Sequence, residues 1–154
     1  MLAVRYRTLQ QHVHPDKYVT SSAQERRLSI QHASHINDAF EALRNPLKRA
    51  QYLLELKGMA DNESGAGLDH GFLMEQMELR ETLEAIPEAD NPPAALDHFL
   101  AEIKNHEKEF VETLRCQFAA STEESLNQAT IAVKKLQFII KLKEETIELE
   151  DQLY

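Results

Sequence analysis

The chain has 154 residues, 42% hydrophobic and 28% charged, a balance that excludes a disordered polypeptide and suits one ordinary domain or two small ones. A net charge of −9 argues against nucleic-acid binding, no apolar run nears the ~20 residues of a membrane span, and no apolar segment follows the basic first residues as in a signal peptide. The single cysteine, Cys116, excludes an internal disulfide and any Cys-x-x-Cys site, and points to a reducing, cytoplasmic setting.

The chain reads as all-helical. Leu2, Tyr6, Leu9 and Val13 mark a short first helix, stopped at His14 because the ring of Pro15 disfavours helical geometry at the residue before it. After His14-Pro15-Asp16-Lys17 and a polar loop comes a second stripe, Ala33, Ile36, Phe40 and Leu43, extended upstream toward Leu28 and Ile30. Asn45-Pro46 then gives an N-cap and a first helical residue for a third helix through Leu47, Ala50 and Leu54. All four glycines lie between Gly58 and Gly71, which marks residues 58–71 as a linker between a part at 1–57 and a part at 72–154. The first 57 residues carry nine Lys and Arg against five Asp and Glu, net +4; the remainder carries eight against twenty-one, net −13. Two surfaces for two partners are expected from that asymmetry.

Beyond Gly71, three helices are predicted over about 71–86, 94–119 and 122–153, and short connections make them an antiparallel bundle. Ser121 or Thr122 is the expected cap of the last. Phe72, Leu79, Leu83 and Ile86 share a sector about 60° wide and form the core stripe of the first. Leu73, Met74 and Met77, beside Glu78 and Glu81, lie well away from it. Such surplus apolar groups ringed by charge make an adaptable recognition surface, unless they and the surplus of the last helix pack on each other or on the first part of the chain. Leu96, Phe99, Ile103, Phe110 and Leu114 line the middle helix, with Cys116 expected to be buried among them. Leu126, Ala129, Val133, Leu136, Ile140 and Ile147 are the expected stripe of the last, from which Phe138 points away to join the exposed patch.

His14-Pro15-Asp16 between two helices, followed by Asn45-Pro46-Leu47-Lys48-Arg49-Ala50-Gln51-Tyr52, resembles the J domain of DnaJ-type co-chaperones. Phe72 to Arg80 and Lys134 to Leu142 resemble the C-terminal domain of the HscB family, J-type co-chaperones of bacterial iron–sulfur cluster assembly. The resemblance implies a non-enzymatic helper of HscA, a DnaK-type ATPase chaperone, with the acidic bundle carrying the cluster scaffold IscU. It implies a chaperone-binding site of His14, Pro15, Asp16, Lys17, Arg5 and Arg7. It also implies a scaffold-binding site of Leu73, Met74, Met77, Glu78, Glu81 and Phe138. The family has a further acid where Ala85 stands, so a less acidic patch edge is expected, and an aromatic residue where Val13 stands.

J domains place about two helices before the motif, whereas thirteen residues precede His14 here. Helix I is therefore expected to be missing from a truncated J domain, leaving apolar surface such as Tyr6 and Phe40 uncovered. The alternative function is a non-activating helical adaptor that only binds the scaffold. No cofactor or metal is expected, because the seven histidines lack cysteine or carboxylate partners and no glycine-rich phosphate loop is present.

Overall fold

The computed structural model describes residues 1–59 and 70–153, so residues 60–69 of the expected linker lie outside the described residues. The described residues form six α-helices and no strand: α1 (Leu2–Val13), α2 (Ala23–Arg44), α3 (Pro46–Leu56), α4 (His70–Ala85), α5 (Pro92–Ala120) and α6 (Glu123–Leu153). They divide into two units, Met1–Tyr52 and Leu53–Tyr154, with α3 running across the division. No described helix is long and apolar enough to cross a membrane.

In the first unit α1 and α2 form a hairpin. A 3-10 turn at Pro15–Tyr18 joins them, and Ser22 caps α2. Ser22 Oγ accepts from the Glu25 amide, and the Glu25 carboxylate accepts from the Ser22 amide and hydroxyl, a reciprocal pair that satisfies orphan donors of the first turn. Those bonds hold the Glu25 carboxyl below its usual range. A folded pKa below the unfolded one adds stability that is present above the unfolded value and lost as pH falls through the folded value. Glu25→Gln keeps an acceptor but not the charge. The melting temperature of the native chain is therefore expected to exceed that of the variant near neutral pH, the gap closing as pH falls through the carboxylate range, read by thermal melts across pH.

The hairpin is thinly packed. Ser29 is the one fully buried residue of α2, and α1 has none. Tyr6 and Phe40, expected to be uncovered, are instead half-buried against each other, their rings stacked at 4.0 Å between centroids. The apolar surface left in solvent includes Val4, Leu9, Val19, Leu28, Ile30 and Leu43.

As expected, Asn45 caps α3, its Oδ1 accepting from the Lys48 amide. The helix closes at Gly58, where φ is +74° and the Met59 amide reaches back to the Leu54 carbonyl, a Schellman ending that a side chain would strain.

In the second unit, Leu79 and Leu83 of α4, Ile86 of the following turn, Leu96, Phe99 and Ile103 of α5, and Ile139 and Leu142 of α6 form one core. Asn91 caps α5, Ser121 leaves it in the left-handed conformation, and Thr122 precedes α6. Thr122 and Ser125 cap that helix by exchanging side chain-to-amide bonds. The two-residue break makes α5 and α6 antiparallel.

Two expectations about this unit are corrected. Cys116 is exposed. The inward face of α6 is Ser125, Ala129, Ala132, Val133, Leu136, Ile139, Leu142 and Thr146, whereas Leu126 and Ile140 are only half-buried and Ile147 is 43% exposed. Ser125, Ala132, Ile139 and Thr146 recur every seven residues. A seven-residue face drifts about 20° per heptad from a straight helix, so a wheel drawn from one end of a long helix misplaces the other. Leu142→Ala is expected to cost about 2–5 kcal/mol of bundle stability. Ile147→Ala is expected to stay within about 0.5 kcal/mol. Urea unfolding of the two variants checks both.

Candidate functional site

The first candidate site is the turn between α1 and α2. His14 is extended, with φ −57° and ψ 126°, as its position before proline requires. Pro15 opens the 3-10 turn, and the Lys17 amide closes it on the His14 carbonyl at 3.0 Å. The Asp16 amide donates to His14 Nδ1 at 3.3 Å, so the neutral ring that accepts it carries its proton on Nε2. The Asp16 side chain is 86% exposed, and its Oδ2 stands 3.6 Å from the same Nδ1, an ion pair only when the ring is protonated. A short turn thus presents a carboxylate that no lysine or arginine among the described residues pairs with. That suits docking onto a cation.

The expected basic residues are less united. Tyr6, Gln10 and Val13 face α2, and both the Tyr6 hydroxyl and the Gln10 amide donate to Asn37 Oδ1, at 2.9 and 2.7 Å. Arg5 and Arg7 flank Tyr6, about 200° apart around the helix. Both are exposed, yet one flat partner surface cannot take both head-on. Lys17 is exposed on the turn itself.

The second candidate site is the outer face of α4. Its inner face is filled by Phe72, Leu79 and Leu83, all buried, so Leu73, Met74 and Met77 have no place in the core and stand 45%, 51% and 63% exposed. Helical geometry puts Leu73, Met77 and Glu81 in one row and Met74 and Glu78 in the next. Other carboxylates of this unit meet partners on another helix: Glu145 pairs with Arg80 and Glu107 with Lys143, and Glu75 stands 3.7 Å from His106, an ion pair only when that ring is protonated. Glu78 and Glu81 have no such partner among the described residues. The site is an apolar strip with two available carboxylates at one end.

Phe138 is not the free outward ring expected. It is half-buried on α6, edge-on to Phe72 at 5.9 Å, with the Arg80 guanidinium 5.6 Å above its face and bonded to Glu145. Phe138 lies one turn before buried Leu142, about 40° around the helix, on the side where Phe72 and Arg80 of α4 meet α6. Arg80 covers the ring, which packs against the bundle core. Arg80 carried no signal in the sequence, because its partners lie on another helix.

No group of three or more His, Cys, Asp or Glu among the described residues is arranged to hold a metal ion.

The described residues thus form a helical hairpin bearing a His-Pro-Asp turn and, in the second unit, an acidic bundle with an exposed apolar strip. Residues 68–146 match the family described as the HSCB C-terminal oligomerisation domain. The chain is 40% identical to a co-chaperone protein HscB homolog of Shewanella halifaxensis, over all of this chain and 89% of that protein. It is 42% identical to a homolog of the same description from Vibrio cholerae, over 99% of this chain and 88% of that one. Among solved structures it is similar to chaperone HscB from Vibrio cholerae, at a TM-score of 0.89 and 42% identity, covering 99% of this chain and 88% of that one. It is also similar to human co-chaperone protein HscB, at 0.84 and 30%, covering 96% and 72%. The chain belongs to the HscB family of co-chaperones.

Proposed function

We propose that this chain is a cytoplasmic, non-enzymatic co-chaperone that binds the iron–sulfur scaffold protein IscU, delivers it to the DnaK-type chaperone HscA and stimulates HscA's ATP hydrolysis, aiding maturation of iron–sulfur proteins. The observation that carries the reading is the strip of Leu73, Met74 and Met77. Three large apolar side chains stand in solvent on a helix whose inner face already fills the core. The scaffold docks there, with Glu78 and Glu81 receiving its cations and Phe138 contributing from α6. His14, Pro15, Asp16 and Lys17 dock on the chaperone, and Arg5 or Arg7 steers the encounter. Residues 1–57 act as the switch and 72–154 as the carrier. Held in one chain, they raise the effective concentration of the scaffold at the chaperone.

The test is calorimetric titration of the chain with the scaffold, together with steady-state ATPase of the chaperone. A second reading, an adaptor that binds the scaffold without activating the chaperone, draws on the absence of any fully buried apolar side chain in α1 and α2. Scaffold binding without ATPase stimulation would select it.

A further inference from the structure

The turn that presents Asp16 is tied to the end of α1 by two hydroxyl groups outside the His-Pro-Asp motif. The last carbonyls of a helix have no amide ahead of them to accept from, and α1 ends at Val13. Ser29 Oγ, from the buried side of α2, donates to the Val13 carbonyl at 3.1 Å. The Tyr18 hydroxyl, from the far end of the 3-10 turn, donates to the His12 carbonyl at 3.2 Å. The bonds grip consecutive carbonyls, one from α2 and one from the turn itself, and the next three residues are His14, Pro15 and Asp16. Packing does not explain a serine at position 29. Alanine is the better helix former and has the same shape less one oxygen. The hydroxyl is explained by the carbonyl it satisfies.

We propose that Ser29 and Tyr18 are positioning residues for chaperone activation: their hydroxyls hold the His14-Pro15-Asp16 turn in its docking conformation. The inference rests on the function proposed above. Ser29 is buried and acts through Val13 rather than on a partner. Without the two bonds the turn spends less time in the docking-competent form, and apparent affinity falls in proportion to that fraction. The stimulated rate at saturation does not change, because the docked state is the same.

The test measures chaperone ATPase against concentration of the full chain for Ser29→Ala, Tyr18→Phe and the double variant. Ser29→Ala favours the helix and Tyr18→Phe keeps the ring, so the hairpin stays folded. In the double variant the half-maximal concentration is expected to rise about tenfold with the plateau unchanged. In parallel, exchange of the Lys17 amide, bonded to the His14 carbonyl, is expected to quicken. An unchanged half-maximal concentration overturns the proposal, and so does a lowered plateau at unchanged concentration. If the native chain stimulates nothing, the proposed function fails, and Lys17 exchange alone decides the clamp: faster exchange in the double variant upholds it, unchanged exchange overturns it.

Discussion

Replacing Asp16 by Asn is expected to cut stimulation of the chaperone's ATPase by about ten- to a hundredfold, the cost of removing one partner of a docked charge pair. The side chain is 86% exposed, and its amide bond to His14 is made by the backbone, which the substitution keeps. The turn therefore survives while its charge does not. Scaffold affinity, measured on the same preparation, is expected to stay at the native value, because Asp16 belongs to the other unit. Equal stimulation by the variant and the native chain would remove Asp16 from the docking contact.

The double substitution Leu73→Ala and Met77→Ala is expected to weaken scaffold binding at least about thirtyfold. Both side chains lie in one row and are already in solvent, so truncating them opens no cavity. The melting temperature should hold while affinity falls. Lys108→Ala, exposed on α5, is the control expected to bind normally. A lost melting temperature would return Leu73 and Met77 to a packing role. Normal binding by the double variant would move the scaffold elsewhere.

The strip was legible in the sequence because the inner stripe of α4 is complete without it: Phe72, Leu79 and Leu83 satisfy one helix face, and whatever apolar groups remain must look outward. The motif turn was legible because Pro15 fixes where α1 must end. Phe138 was not legible as it stands. Helix α6 carries apolar residues on most of its circumference, and its core face includes Ser125 and Thr146, so hydrophobicity alone does not set its phase. The helices packed against it set it: Phe72 and Arg80 of α4 meet Phe138, and that is a property of the packed bundle. The pinning of α1 by Ser29 and Tyr18 was equally hidden, since a hydroxyl declares its role only when the carbonyl it reaches is known. Arg5 and Arg7 show the converse limit: two cations close in sequence lie on nearly opposite sides of one helix.

The central claim is that one chain couples the two docking faces. The most direct measurement is chaperone ATPase with scaffold present, adding an equimolar mixture of the Asp16→Asn variant and the Leu73→Ala, Met77→Ala variant. Each carries one intact face. Coupling through a single chain predicts that the mixture stimulates far less than an equal amount of the native chain. Stimulation at the native level would mean that the faces work independently, and delivery by this chain would be contradicted.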